Sequence, residues 1–170
     1  MSREARTPSG VNASDTPPLL AADEPLPFEL VNPEGRADVV LVCDHASQRI
    51  PRQLGNLGLE TEQRSAHIAW DPGAAAVAHG LAAQLDAPLI LGNYSRLVID
   101  LNRPLTSPES IPEQSAEVPI LGNLGLSQQA RAQRVAALFE PYHQAVTHLL
   151  TGRAARATLL FSIHSFTPVL

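Results

Sequence analysis

The stretch that decides the fold is Ala37-Asp38-Val39-Val40-Leu41-Val42-Cys43, and Asp44-His45 follows it directly. A β-branched run without polar alternation is typical of a strand that is buried on both faces, as in sheets covered by helices. Polar side chains directly after such a strand lie at the carboxyl end of the sheet, where open α/β sheets carry their functional groups. The stretch therefore predicts an α/β fold with a candidate site at Asp44-His45.

Other segments of the chain have strand or helix patterns. Strands are predicted at residues 28–31, 87–91, 97–101 and 157–163, the last of them buried. Helices are predicted at 73–86 and 127–150, with Ser127 as the N-cap of the second helix and Pro141 kinking or dividing it. Alternating strands and helices predict a mixed, mostly parallel sheet flanked by helices.

Residues 1–26 are rich in Ser, Thr, Pro, Asp and Glu and have no apolar periodicity, which predicts a disordered N-terminal tail. Residues 27–170 are then expected to form one domain. The sequence contains no apolar run of about 18 residues, and its start lacks the apolar core of a signal peptide. We therefore expect a cytoplasmic protein without a membrane partner.

Composition excludes several kinds of chemistry. The net charge of −5 argues against a nucleic-acid partner, because that surface attracts a basic protein. All 12 basic residues are arginine, so a lysine nucleophile or Schiff base is excluded. Cys43 is the one cysteine, which excludes an intrachain disulfide and a cysteine-rich zinc site. Any bound metal must therefore use histidine and carboxylate ligands.

Three polar clusters follow apolar runs that are distant in sequence: Asp44-His45, Asp100-Leu101-Asn102-Arg103 and His164-Ser165. Neighbouring strands of a sheet bring such ends together, so the three clusters are expected to meet in one pocket.

His45 and His164 are the first candidates for metal ligands, since a neutral imidazole at a strand end suits Zn²⁺ or another divalent ion. Asp71, in Trp70-Asp71-Pro72-Gly73, is the candidate third ligand, and its alternative role is to cap the following helix. The alternative for either histidine is a hydrogen-bonded structural residue.

Arg96, Asn102 and Arg103 are candidate receptors for a substrate carboxylate, because guanidinium and amide groups bind carboxylates through several hydrogen bonds. Their alternative is a structural ion pair with Asp100. Asp44 either orients a ligating histidine or serves as a second metal ligand. His143 and Cys43 are expected to be structural, the latter as an inert thiol.

Five segments in order give the chain a resemblance to a known family: CDHASQRIP at 43–51, AWDPGA at 69–74, SRLVIDLNR at 95–103, PYH at 141–143 and IHSFTP at 163–168. Together they resemble the N-formylglutamate amidohydrolases, which are distantly similar to zinc carboxypeptidases and aspartoacylases. The resemblance implies a zinc-carboxypeptidase-like fold and a zinc ion bound by His45, Asp71 and His164. It also implies that Arg96, Asn102 and Arg103 hold the acidic substrate.

The chain departs from the family pattern at two points. Gln48 stands where the zinc carboxypeptidases have an acidic ligand three residues after the first histidine. Family members also continue past the His-Ser-Phe-Thr-Pro motif into a strand with a glutamate suited to be the general base. We therefore expect that the C-terminal part of the domain is missing here, and Asp44 is the one candidate left for the base.

The expected function is metal-dependent hydrolysis of the N-formyl, or another N-acyl, amide of glutamate or a similar small acidic amino acid. The alternative is a non-catalytic module that binds a metal or an acidic metabolite. The sequence does not determine the oligomeric state.

Overall fold

A four-stranded sheet forms the centre of the computed structural model, which describes residues 17–166. The strands of the described chain are β1 (Phe28–Val31), β2 (Val39–Cys43), β3 (Leu89–Gly92), β4 (Gln114–Ser115), β5 (Val118–Pro119) and β6 (Leu159–Ser162). The order in the main sheet is β1-β3-β2-β6, while β4 and β5 form a separate small hairpin. β2 runs parallel to β3 and β6, and β1 runs antiparallel to β3. The predicted mixed, mostly parallel sheet is confirmed.

Helices cover both faces of this sheet. The helices of the described chain are α1 (Thr61–Ser65), α2 (Ala74–Leu85), α3 (Gln128–Arg134), a π-helix (Val135–Phe139) and α4 (Glu140–Gly152). Of these, α2 packs on one face of the sheet and α4 on the other. Alternate residues of β2 point to opposite faces, so Leu41 and Cys43 pack against the alanines of α2. Val42 packs with Tyr142 of α4 on the other face. Among residues 17–166, no helix is long and apolar enough to span a bilayer.

The predicted long helix is one helical run divided by a π-helix. Ser127 is its N-cap, as predicted, and the Ser127 hydroxyl accepts a hydrogen bond from the backbone N–H of Ala130 at 3.1 Å. Pro141 lies in the first turn of α4, directly after the wide π turn. Proline has no N–H and its ring crowds the preceding turn, so a local change of helix type accommodates it. The disturbance expected at Pro141 is therefore a local change of helix type, and the helical run continues unbroken to Gly152.

The prediction of a strand at residues 97–101 is wrong. Leu97, Val98 and Ile99 are buried, but they lie in turns and belong to a core cluster under the loops. Their backbone groups bond locally or to other loops: Val98 N–H donates to Ser95 O at 2.9 Å. An apolar run reports burial, and it cannot distinguish a strand from a buried turn that satisfies its own polar groups.

β6 forms where a strand was expected, but the expectation that it is buried is wrong. Leu159 is 64% exposed and Phe161 is 53% exposed. Within residues 17–166 the strand pairs with β2 alone, so its outer edge faces solvent. Burial of a strand depends on a second neighbour as well as on its own composition.

The N-terminal segment is partly packed. Leu19 is 2% exposed and belongs to the same loop-covering core cluster as Leu97. The carbonyl of Pro25 accepts a hydrogen bond from the Tyr94 hydroxyl at 2.7 Å. Residues 17–26 therefore pack on the domain, although the sequence analysis predicted them to be part of a disordered tail over residues 1–26. The rest of that tail, residues 1–16, lies outside the described residues.

A pair of glycine substitutions tests the close packing behind the site. A Cβ on Gly92 of β3 would lie 2.5 Å from the Asp44 carbonyl oxygen, whereas a Cβ on Gly80 of α2 would meet nothing within 4 Å. Gly92→Ala should lower the free energy of unfolding by about 1–3 kcal/mol through overpacking. Gly80→Ala should raise it by about 0.5–1 kcal/mol, because alanine is the better helix former. Urea denaturation measures both, and an unchanged midpoint for Gly92→Ala would contradict the packing described.

Candidate metal centre

The pairing of two parallel strands brings the two candidate histidines together. β2 and β6 are neighbours with Val42 opposite Ser162, and His45 and His164 follow these residues at the carboxyl end of the sheet. Their ring centroids are 5.0 Å apart. Asp71 reaches the same point from the start of α2, and its backbone N–H donates to His45 O at 3.0 Å.

Asp71 does not cap α2. The N-cap position is Gly73, in the left-handed conformation, and no side chain there caps the helix. The Asp71 carboxylate instead faces both histidines: Oδ1 lies 3.5 Å from His45 Nδ1 and Oδ2 lies 2.8 Å from His164 Nδ1. Of the two roles that the sequence left open, the geometry favours the ligand.

His45 has one satisfied and one unsatisfied ring nitrogen. Its Nε2 lies 2.7 Å from Asp100 Oδ1, which fixes that nitrogen as the donor because a carboxylate accepts. Its Nδ1 is buried and has no hydrogen-bond partner. In the neutral ring, this atom carries a lone pair that points toward the Asp71 carboxylate. A cation between the two atoms would satisfy both.

His164 has a matching arrangement. While its Nδ1 faces Asp71, its Nε2 lies 2.9 Å from Ser162 Oγ and 3.3 Å from Asp44 Oδ2. Each histidine thus presents Nδ1 to Asp71 and has a carboxylate behind its other nitrogen, Asp100 in one case and Asp44 in the other. This is the arrangement in which metal-ligating histidines are commonly held.

The separation of the donor atoms suits a small divalent ion. One atom each from His45, Asp71 and His164 lie within 4.8 Å of one another. Ligands at 2.0–2.1 Å from a tetrahedral zinc lie roughly 3.3 Å apart, close to the 3.5 Å between His45 Nδ1 and Asp71 Oδ1. The residues present fit a His₂-carboxylate site, and small movements would bring all three donors to one ion.

Asp44 is bound on both oxygens. Its Oδ1 accepts from the Tyr142 hydroxyl at 2.7 Å, and its Oδ2 accepts from the Ser162 hydroxyl at 2.8 Å. Asp44 is 6% exposed. These contacts favour the role of orienting His164 over that of a second ligand or a free base.

Asp100 stands behind His45 as a charged partner. Burial opposes its ionisation, but the hydrogen bond from His45, the charge of Arg96 and the hydrogen bond from the Asn102 N–H outweigh that effect. The pKa of Asp100 is therefore below its ordinary value. Its second oxygen accepts from Arg96 Nη2 at 2.9 Å. The carboxylate stays ionised and can fix the His45 ring.

The three candidate substrate receptors lie at the rim of the site. Arg96 is bound to Asp100 and lies 3.8 Å from Asp71 Oδ1, so the predicted ion-pair alternative is present. The amide of Asn102 lies 3.3 Å from His164 Nε2. Arg103 is half-exposed and pairs with Glu109 at 3.2 Å.

Two pockets open beside the metal centre, and Arg96 lines both. One, of about 360 Å³, is also lined by Trp70, Asp71 and Ser165. The other, of about 200 Å³, is also lined by Arg103. A larger pocket of about 790 Å³ lies between β1 and α4, and none of the candidate site residues lines it.

Sequence reasoning did not assign the residues behind the histidines. Asp100 was considered as an ion-pair partner of the arginines and not as the carboxylate of His45. Tyr142 and Ser162, the donors to Asp44, received no role. A polar serine inside the apolar run 157–163 was a signal of an inward-facing hydroxyl.

Comparison with known proteins defines first the class and then the family. The sequence model described as N-formylglutamate amidohydrolase matches residues 37–170, which makes the chain amidohydrolase-like. The matched range is most of the chain, so the chain belongs to the N-formylglutamate amidohydrolase family. The resemblance of the five segments is confirmed.

A solved structure is similar over most of the chain. It is the crystal structure of gene product Atu2144 from Agrobacterium tumefaciens, with a TM-score of 0.87 and 41% sequence identity. The similarity covers 89% of this chain and 61% of the other, so this chain spans less than two thirds of that relative's length. No curated protein matches the chain.

The single cysteine gives a probe of the buried strand beside the site. Burial, together with the charges of Asp44 and Asp71, raises the pKa of Cys43 to about 12. At pH 8 the folded thiol should hold about a thousandfold less thiolate than an unfolded one, which has a pKa near 8.5–9. Iodoacetamide should therefore label the protein in urea and leave it unlabelled in buffer, as measured by mass spectrometry. Equal labelling rates would contradict the burial.

Proposed function

We propose that this chain is a metal-dependent hydrolase that cleaves the N-formyl, or a related N-acyl, amide of glutamate or a similar acidic amino acid. Membership of the family supports the reaction class. The observation that carries the metal proposal is the buried, unpartnered Nδ1 of His45, which faces Asp71 and lies beside His164. The proposal extends to the fold, which we relate to that of the zinc carboxypeptidases and aspartoacylases.

His45, Asp71 and His164 would hold the ion, most simply Zn²⁺. Lewis-acid polarisation of an amide carbonyl and a lowered pKa of water are what a bound divalent ion supplies in such a site. Three protein ligands leave a fourth position open, which is the usual condition of a catalytic zinc site. Asp100 and Asp44 would keep both imidazoles turned so that each Nδ1 faces the ion.

The rim arginines supply the selectivity for an acidic substrate. Arg96 is within reach of the metal centre and lines both neighbouring pockets, so a substrate carboxylate bound there stays close to the histidines. Arg103 is available to a second carboxylate by exchange of its exposed partner Glu109. Asn102 adds an amide donor between the arginines and His164. Holding both ends of the substrate presents its amide to the site in one orientation.

Asp44, the candidate base of the sequence analysis, acts in this proposal through His164 and not as the general base. A carboxylate beside a histidine favours the tautomer that carries its proton on the nearer nitrogen, here Nε2. The other nitrogen, Nδ1, is then free to bind the ion. This gives Asp44 a positioning role in the reaction, consistent with its hydrogen bonds to Tyr142 and Ser162.

A second candidate function is a module that binds a metal or an acidic metabolite without turnover. The observation in its favour is that both oxygens of Asp44 are already hydrogen-bonded, so this carboxylate is not free to abstract a proton. Metal binding without hydrolysis of any N-formyl amino acid would select the module.

Zinc binding tests the ligand assignment directly. The protein should bind Zn²⁺ in competition with a chromogenic chelator, and His45→Ala or His164→Ala should each weaken binding by more than about 100-fold, since each removes a ligand. His79→Ala, on an exposed position of α2, is the matched control and should leave the affinity unchanged. Equal zinc affinity for the unaltered protein and all of these variants would contradict the assignment of His45 and His164 as ligands.

Substrate selectivity tests the role of Arg103. In the presence of zinc, Arg103→Ala should raise KM for N-formylglutamate about tenfold or more, because a charged hydrogen bond contributes roughly 1.5–3 kcal/mol. KM for N-formylleucine, which lacks the side-chain carboxylate, should change much less. Arg36→Ala is the control, since Arg36 pairs with Asp86 away from the site. A chelator should abolish both activities, and an equal effect of Arg103→Ala on both substrates would count against the assignment.

A further inference from the structure

Two adjacent side chains at the start of α4 reach the two sides of the candidate metal centre. The Tyr142 hydroxyl donates to Asp44 Oδ1 at 2.7 Å. The Nε2 of His143 lies 3.0 Å from the backbone carbonyl of Leu101, to which it can only donate. These contacts are not with His45, Asp71 or His164 themselves, so both residues act on the site through the groups that they contact.

Tyr142 supports the His164 side. It is 1% exposed, and its partner Asp44 lies 3.3 Å from His164 Nε2. Burial and the charge of Asp44 raise the pKa of Tyr142 well above its usual value, so the phenol keeps its proton and remains a donor. The Ser162 hydroxyl holds the other oxygen of Asp44. Two donors thus fix the carboxylate that faces the ring of His164.

His143 supports the His45 side. Leu101 lies between Asp100, whose Oδ1 is 2.7 Å from His45 Nε2, and Asn102, whose amide is 3.3 Å from His164 Nε2. A bond to the Leu101 carbonyl therefore anchors the turn that carries both contacts. The His143 ring also packs on Phe139 of the π-helix, with centroids 4.2 Å apart.

The geometry of α4 explains how neighbours in sequence serve two sides of the site. Successive residues on a helix point about 100° apart, so Tyr142 and His143 face different parts of the site. The wide turn over Val135–Phe139 sets the rotation of α4 relative to α3, and Pro141 sits where that turn ends. π turns inside α-helices are frequent at functional sites.

We propose that Tyr142 and His143 are positioning residues of the metal centre: Tyr142 holds His164 through Asp44, and His143 holds the Asp100–Asn102 turn behind His45. This rests on the proposed metal-dependent function. Loss of either contact would leave the three ligands present but less well oriented. Contacts of this kind behind a ligand typically change metal affinity by 10–100-fold.

The test measures Zn²⁺ affinity by chelator competition and the visible spectrum of the Co²⁺-substituted protein, which reports ligand geometry. Tyr142→Phe should weaken zinc binding by about 10–100-fold and alter the Co²⁺ spectrum. Tyr94→Phe is the matched control, because Tyr94 is 3% exposed and also donates from its hydroxyl, to Pro25 O. It should leave affinity and spectrum unchanged, even if both variants lower the melting temperature of the metal-free protein equally.

Further variants keep the test decisive if Tyr142→Phe does not fold. Ser162→Ala removes the other donor to Asp44 from an exposed strand and should weaken zinc binding in the same direction. His143→Leu should weaken it as well, whereas His143→Gln keeps a side-chain N–H and should restore much of the affinity.

The outcomes separate this inference from the proposed function. If the unaltered protein binds Zn²⁺ and the Tyr142, Ser162 and His143 variants bind it equally well, the positioning role is overturned and the metal centre stands. If the unaltered protein binds neither Zn²⁺ nor Co²⁺, the metal centre and the positioning role both fail.

Discussion

The parallel pairing of β2 with β6 is the constraint on which the site depends. Its register sets Val42 opposite Ser162, and from there each strand delivers one imidazole to the same edge of the sheet. Because successive side chains of a strand point to opposite faces, a slip of one residue would turn Ser162 away from Asp44. The apolar residues of β2 therefore do more than form a core, since their packing against α2 and α4 fixes where His45 emerges.

Charge balance is the second constraint on this site. Three carboxylates are nearly buried, Asp44, Asp71 and Asp100, and buried carboxylates are unfavourable unless they are paired and hydrogen-bonded. Arg96, the two histidines and several neutral donors satisfy them. Within this site the exception is Nδ1 of His45, and a buried polar atom without a partner requires an explanation, of which a bound ion is one.

The sequence predicted the features that depend on local pattern. The strand in the run at 37–43, the helix after Pro72 and the change of helix type near Pro141 follow from composition and from the geometry of proline. The predictions that were wrong concern features that depend on residues distant in sequence. Residues 97–101 are buried by loops and do not join the sheet. In the described chain, β6 pairs with β2 alone and is therefore an edge strand. For the site, strand ends indicated His45 and His164, and the start of the following helix indicated Asp71. The roles of Asp100 and Tyr142 required knowing which side chains meet across 55 and 98 positions of sequence.

The exposed edge of β6 affects how firmly this strand is held on the sheet. The strand is held by one neighbour, yet His164 at its end touches Asp71, Asn102 and Ser162 and stands near Asp44. Whatever binds His164 and Asp71 together also ties the last strand to the body of the protein, so occupancy of the centre and retention of the strand are thermodynamically linked. Loss of that binding would release Leu159 and Phe161 together with an unpaired strand edge, a combination that favours self-association.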